Sequence, residues 1–357
     1  MNYNILKKQI KDKAIELGFL DAKICKPGIS QESADKFNAW ISAQKHGDMY
    51  YLNNNQQLRF NPQQLAPQTL SIISVKMPYL QNDISFHRQR QLDNNHAYIS
   101  CYAIGRDYHK VVKQKLRELT QWINNILEQE QADFRVFTDS APIMEVQLAT
   151  QAGLGWRGKN TLLINKNHGS LFFLGEIFTT FPLPTDEETT SHCGSCQKCL
   201  IICPTQAFDS EYQLDARKCI SYLTIENHGE IPLEFRRLIG NRVYGCDDCQ
   251  LICPWNKFAK LSSNIDFKER NNLTSSSLLE LFLWNEEDFK SKMQGSPIFR
   301  IGYERWQRNL AVGLGNASYS IEIVNALTLR KDKSSPLVAE HIQWAIDEQI
   351  LKRDQAI

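Results

Sequence analysis

No stretch of this chain is long and apolar enough to cross a bilayer, because the greasiest run, Leu171–Leu183, carries Glu176. The opening residues, Met1-Asn2-Tyr3-Asn4-Ile5-Leu6-Lys7-Lys8, soon become highly charged and lack the apolar centre of a secretory signal. No membrane association is expected, and a cytoplasmic location is. Low-complexity tracts are missing, and 42% hydrophobic with 23% charged residues is ordinary globular composition. Disorder, collagen-like repeats and coiled coil are thereby excluded as descriptions of the whole chain. Neither sign of charge is in excess: 41 basic and 40 acidic side chains leave a formal net charge of +1. Affinity for a nucleic acid must then come from a local basic surface rather than from the bulk field. At 357 residues the chain exceeds what one core usually serves, so two or three domains are expected.

What is abundant is cysteine. There are ten, and disulfides do not persist in a reducing compartment. Cys25 and Cys101 stand alone, while eight crowd between Cys193 and Cys253, a pattern of metal ligands. Cys193, Cys196 and Cys199 have the spacing that wraps one four-iron cubane, and Cys203, followed by Pro204, points to a second one. The second copy, Cys246, Cys249 and Cys253-Pro254, is incomplete because Val243 stands where its first cysteine belongs. Cys219 is the natural replacement. Crossing the fourth ligands puts Cys193, Cys196, Cys199 and Cys253 on one 4Fe–4S cluster, and Cys203, Cys219, Cys246 and Cys249 on the other. Paired structural zinc sites are the bland alternative, but they lack the third close cysteine and the Cys-Pro fourth. Two adjacent clusters form a wire, and a wire needs a terminus held by the rest of the chain.

Apolar residues recur at helical spacing over Asn4–Phe19, with Ile5, Leu6, Ile10, Ala14, Ile15 and Leu17 roughly on one face, and again over Asp107–Gln129. Ser71–Val75, Phe134–Phe137, Thr161–Ile164 and Leu171–Phe178 read as strands, with His168-Gly169 as the turn between the last two. Glu145–Ala152 reads as a helix ended by Gly153. This alternation predicts an α/β domain. The connector Pro182–Glu188 marks a boundary, and after Ser262 helices follow alone: Ser275–Leu283, Glu286–Met293, Tyr303–Gly313, Ile321–Leu329 and Pro336–Leu351.

Several motifs fail on inspection. Gly153-Leu154-Gly155-Trp156-Arg157-Gly158-Lys159-Asn160 approaches a phosphate loop, but Asn160 replaces the magnesium-binding hydroxyl and the context is helix–loop–strand. Its glycines are expected to admit a close backbone approach or to make the turn. No Gly-x-Gly-x-x-Gly supports a dinucleotide site. Asp139 reads by default as an N-cap, with Pro142 in the first helical turn. Asp107-Tyr108-His109 reads as an N-cap with a buried aromatic pair, Arg59 as a surface ion-pair former, and Cys25 and Cys101 as small buried hydrophobes.

The order Phe137-Thr138-Asp139-Ser140-Ala141-Pro142, Glu145, and Ala152 through Asn160 resembles the epoxyqueuosine reductase family. So do the double cluster motif ending Cys253-Pro254-Trp255-Asn256, the run Arg308 to Asn316, Gly47 to Tyr51, and Tyr102 to His109. The resemblance spans nearly the whole chain. It implies a cobalamin-dependent enzyme, related in its core to reductive dehalogenases, that completes queuosine on the tRNA wobble base. The implied architecture is a mixed α+β and α/β chain. An N-terminal α/β cobalamin-binding catalytic domain (1–185) would precede a ferredoxin-type domain with two 4Fe–4S clusters (186–262) and a helical, HEAT-like, tRNA-facing region (263–357).

The implied reaction removes an epoxide oxygen, leaving an alkene and water. It needs two electrons from the clusters, a reduced cobalt centre and a proton for the departing oxygen. Asp139 is the expected acid, which would require burial to raise its pKa. Arg59, Cys101, Asp139 and Ser221 are the expected corrinoid contacts. No Asp-x-His-x-x-Gly signature occurs, so a protein histidine on cobalt is not expected. The partners would be tRNA carrying epoxyqueuosine and an external electron donor, and a monomer suffices. For the tRNA, Arg300, Arg305 and Arg308 are expected to form a basic face, with Arg236, Arg237 and Arg242 as the alternative group. The rival readings are a two-cluster electron-transfer adaptor and a corrinoid-dependent reductive dehalogenase.

Overall fold

The computed structural model describes residues 2–127 and 132–355. The chain opens with helix α1 (Tyr3–Glu16), whose buried stripe is Leu6, Ile10 and Ala14, four residues apart. Ile5 and Ile15, expected on that face, are each 57% exposed. Strands β1 (Asp21–Cys25), β2 (Ser71–Pro78), β3 (Phe134–Phe137) and β4 (Phe172–Thr179) form one sheet in the order β1–β2–β4–β3. Every pairing in it is antiparallel. This corrects the α/β expectation: the unit is α+β, with helices on both faces of an antiparallel sheet. Alternating helices and strands implied parallel crossovers, but strand direction is set by which distant strand each one meets.

The two faces of β2 explain its continuous burial. Ile73, Val75 and Met77 pack with α1 and with helix α2 (Tyr108–Leu127) through Val112, Leu116 and Leu119. The last two residues expected in α2, 128 and 129, lie outside the described residues. Ile72 packs on the opposite face with Phe137, Phe178 and Leu148 of helix α3 (Glu145–Gln151). Each such fully buried aliphatic side chain is worth about 1.5–3 kcal/mol, so the two helical layers fix the sheet between them. At the end of α3 the chain reverses through Gly153 at φ +81°, where a Cβ would lie 2.0 Å from the carbonyl oxygen of Glu187. Only glycine fits there.

The cysteine-bearing segment is built of short pieces such as Lys198–Ile201 and Asp248–Leu251. Its strand Arg242–Tyr244 pairs in parallel with Tyr98–Ile99. Helix α4 (Ile220–Ile225) follows Cys219 directly. The C-terminal helices α5 (Gly302–Asn316), α6 (Ile321–Lys331) and α7 (Pro336–Gln355) share one hydrophobic core with Ala97, Ile99, Ile104, Val243 and Tyr244. α5 is buried along its whole second half, from Trp306 to Gly315. Among the described residues no helix is long and apolar enough to cross a membrane.

Candidate active site and electron-transfer centre

β3 ends at Phe137, and Asp139 turns the chain with φ +57°, a left-handed conformation that aspartate tolerates better than most residues. α3 begins only at Glu145 and its N-cap is Met144, so Asp139 is not a helix cap and Pro142 lies in the preceding loop. The capping expectation is overturned because seven residues, 138–144, separate strand from helix. That turn is fastened from within: the Asp139 backbone N–H donates to Glu145 Oε1 at 2.5 Å.

Tyr108 and His109, the opening residues of α2, reach back to this turn. The Tyr108 hydroxyl donates to Asp139 Oδ2, and His109 Nε2 stands 3.1 Å from the same oxygen. His109 Nδ1 stands 2.8 Å from Asp107 Oδ1, so both ring nitrogens face carboxylates. Stacking sets the geometry: Tyr108 lies on Phe173 at 4.2 Å and 5°, and on His109 at 4.1 Å and 25°. The Asp139 side chain is 54% exposed although protein surrounds it closely, as at the floor of a recess.

The electrostatics reverse the expected acid. Burial alone would raise the Asp139 pKa, but the bonds from His109 and Tyr108 and the nearby charges of His109 and Arg300 hold it below the usual carboxylate value. His109, though partly desolvated, is pushed up to about 9 by Asp107 and Asp139. At neutral pH the proton therefore sits on the imidazole and the carboxylate is charged. Burial and the charge of Asp139 push Glu145 up to about 7.

The eight clustered cysteines sort into two groups. Cys199 is close enough to feel Cys253, Cys193 and Cys196, and these four line one cavity of about 430 Å³. Cys249 neighbours Cys219 and Cys203, and Cys246 neighbours Cys219. Cys199 and Cys249 are themselves neighbours, which brings the two groups together. Among the described residues no three His, Cys, Asp or Glu side chains converge on a single metal ion. The indole Nε1–H of Trp156 donates to Cys193 Sγ at 3.4 Å.

The loop Gly153–Asn160 is explained by this neighbour. Lys159 Nζ donates to the Gly194 carbonyl at 2.7 Å and pairs with Glu211 at 2.7 Å, and Asn160 Nδ2 reaches the Cys249 carbonyl at 3.4 Å. It is a dock for the cysteine segment. Asp247 completes the junction, accepting from Tyr98 Oη and Ser100 Oγ at 2.6 Å each and from the Cys101 N–H at 2.8 Å.

Residues 192–256 match the family described as 4Fe-4S double cluster binding domain, and residues 59–140 match that described as Epoxyqueuosine reductase QueG, DUF1730. The chain is 50% identical over 342 residues to the epoxyqueuosine reductase of Pseudomonas aeruginosa, covering 96% of this chain and 94% of that one. Against the Escherichia coli enzyme it is 46% identical over 357 residues, 100% and 93% of the two chains. The chain belongs to the epoxyqueuosine reductase family. The solved Bacillus subtilis epoxyqueuosine reductase superposes with a TM-score of 0.86 at 26% identity, covering 98% of this chain and 91% of that one. In that structure an aspartate-bearing catalytic loop is swung out of the active site. The Streptococcus thermophilus epoxyqueuosine reductase superposes with a TM-score of 0.85 at 25% identity, over 98% and 92% of the two chains.

Within this family framework the remaining expected residues fall into place unevenly. Arg59 is no surface ion-pair former: it is 7% exposed, donates through Nη2 to the Tyr51 carbonyl at 3.1 Å, and leaves its Nε buried without a partner among the described residues. Tyr51 in turn lies within electrostatic reach of Asp139, Arg300 and Arg59. The Cys101 side chain, 1% exposed, commits its Sγ to Asp247 at 3.0 Å and offers a ligand no surface. Ser221 is half-buried at the start of α4, where its N–H faces the Cys219 sulfur.

The basic face is overturned. Arg308 is fully buried, its guanidinium donating to the carbonyls of Leu223, Asn227 and Gly229 at 2.6–2.8 Å. Arg305 donates to the carbonyls of Ile301 and Ile225 at 2.8 Å each. Only Arg300 of the three is exposed, paired with Glu226. The alternative group fares no better: buried Arg236 pairs with Glu340, Arg237 with Glu348, and buried Arg242 with Asp248. These arginines fasten loops and helices because α5 is enclosed all round, which a one-sided helical pattern does not reveal.

Reading the sequence alone understated His109, Tyr108 and Asp107, which it took for a cap and a buried pair, and it missed Asp247. The detectable signal for Glu176 was a lone carboxylate inside an otherwise apolar strand.

Proposed function

We propose that this chain reduces the epoxide of epoxyqueuosine in the tRNA anticodon to give queuosine, consuming two electrons and two protons and releasing water. The observation that carries the reading is the Asp107–His109–Asp139 chain at the floor of a recess. A two-cluster electron-transfer adaptor would have no use for it. The cysteine groups Cys193, Cys196, Cys199, Cys253 and Cys203, Cys219, Cys246, Cys249 would each hold a 4Fe–4S cluster. A cobalamin would fit the recess on the evidence of the orphaned Arg59 Nε, a buried donor in need of an acceptor, beside Tyr51, which itself lies within electrostatic reach of Asp139. When bound, it supplies the reducing cobalt centre that opens the epoxide with electrons from the clusters.

The chain's own residues handle the proton. Tyr108 and His109 both bond to Oδ2 of Asp139, which leaves Oδ1 without a side-chain partner among the described residues. A proton stored on His109 passes through Asp139 to the departing oxygen, and Asp107 keeps the imidazole oriented and charged. Asp139 remains the group that meets the substrate, with His109 as its reservoir. Arg300, exposed and close enough to Asp139 to lower its pKa, would meet a tRNA phosphate at the recess mouth. The test is to incubate the reconstituted protein, with cobalamin and reductant, on tRNA carrying epoxyqueuosine. The modified nucleoside should lose the mass of one oxygen, and an unchanged nucleoside contradicts the reading.

A further inference from the structure

Behind the Asp139 turn lies a second pair of carboxyls that the proton chain does not use. Glu176, in the middle of β4, is 0% exposed, and among the described residues neither of its carboxylate oxygens has a hydrogen-bond donor. In the sheet it stands opposite Phe137 on one side and Ser74 on the other, and paired residues of antiparallel strands point to the same face. Ser74 Oγ is buried and unpartnered as well. The group within bonding reach of Glu176 is the carboxyl of Glu145. Glu145 is also the residue whose Oε1 accepts the Asp139 N–H at 2.5 Å.

Two carboxyls within bonding reach, one wholly buried and the other half-buried, with no cation among the described residues between them, do not both ionise. One must be an acid that donates to the other. Glu176 is the deeper of the two and is raised well above the ordinary value by burial and by Glu145, so it keeps the proton. Glu145 then has one oxygen tied to a rigid strand and the other gripping the peptide N–H of the residue that meets the substrate. The Bacillus subtilis relative shows that an aspartate loop in this family has a state swung out of the active site. A docked state needs something that holds it.

We propose that Glu145 is a positioning residue, a latch that holds the Asp139 loop in the active site and is itself anchored by a hydrogen bond from protonated Glu176. This deepens the reading of Asp139 above and rests on it. The latch acts through the Asp139 backbone, so its variants leave the side-chain chemistry of Asp139 and His109 in place.

The test measures hydrogen exchange of peptides spanning 138–145 in the full reconstituted protein, alongside turnover. Glu145→Ala removes the acceptor, and exchange in that peptide should rise about tenfold or more, the effect of losing one charge-assisted hydrogen bond. Turnover kcat should fall with KM little changed, while exchange in α1 and α7 stays at the wild-type rate. Glu145→Gln keeps an oxygen acceptor and should restore protection and most of kcat. Glu176→Gln supplies a permanent N–H donor and should keep the loop docked. Exchange is read without substrate, so failure of the latch shows separately from failure of the reaction itself. Wild-type exchange and kcat in Glu145→Ala overturn the proposal. So does a folded Glu145→Gln that behaves like alanine. Should Glu145→Ala fail to fold, infrared spectroscopy decides. A protonated carboxylic C=O band present in the wild type and lost in Glu176→Gln supports the proposal, and its absence from the wild type overturns it.

Discussion

His109 Nε2 stands 3.1 Å from Asp139 Oδ2, and this contact makes the two residues a charged pair with a stored proton rather than an isolated acid. The pair sets the pH behaviour. His109 is raised from 6.5 to about 9, so its proton is available across neutral pH and is lost as pH rises through about 9. Turnover should fall along that limb, and His109→Gln, which cannot titrate, should abolish the limb and lower kcat.

The same shifts enter stability with opposite signs. The contribution of His109 is complete below 6.5 and disappears as pH climbs through about 9. That of Asp139, whose pKa is lowered from 3.8, is present above 3.8 and disappears as pH falls through the lowered value. The Tm difference between wild type and His109→Gln should therefore be largest between these limits and close to zero above about pH 9. A difference that grows with alkaline pH contradicts the assignment.

Asp139→Asn preserves the size of the side chain but cannot pass a proton. Turnover should drop by about 100-fold or more, the usual reach of general acid catalysis. Iron content and the cluster absorption should not change, because Asp139 lies in neither cysteine group.

Metal analysis of anaerobically purified protein should return about eight irons per chain, two cubanes' worth. Cys219→Ala should lose one cluster and leave about four. Cys25→Ala should lose none, since Cys25, the last residue of β1, is buried against Leu148 of α3. Zinc in place of iron contradicts the cluster reading.

Arg308→Gln and Arg300→Gln should separate structure from binding. Burial pushes Arg308 down to about 9, and its bonds hold three carbonyls of the segment 223–229. Its loss leaves those acceptors unpaired, costs about 2–4 kcal/mol and lowers Tm by several degrees. Arg300→Gln should leave Tm nearly unchanged, weaken binding of the tRNA anticodon stem-loop, and flatten its salt dependence by about one phosphate's worth.

Much of this was legible beforehand for reasons that can be named. Helix Glu286–Met293 and strand Phe134–Phe137 have the expected bounds, because each carries a local apolar pattern between polar ends. The cysteine groups follow from spacing, because ligand geometry is short-range. Strand direction was not legible: Ser71–Pro78 meets Phe172–Thr179 about a hundred residues later, and no local pattern encodes that meeting. β1 escaped notice although Asp21, Ala22, Lys23 and Ile24 alternate polar and apolar, because so short a run gives only a weak signal. The buried arginines escaped for a related reason. Arg308 has the helical position of a surface residue, and only the folding of the loop 223–229 over it makes it internal.

The central claim is that the stored proton of the Asp139–His109 pair serves a cobalamin-dependent removal of the epoxide oxygen. Its most direct test is a single-turnover reaction of the cluster-loaded protein on tRNA carrying epoxyqueuosine, read by mass spectrometry of the nucleoside. It is run with and without cobalamin for wild type and Asp139→Asn. The account predicts loss of one oxygen only for wild type with cobalamin. Oxygen loss at the wild-type rate in Asp139→Asn, or in wild type without cobalamin, contradicts it.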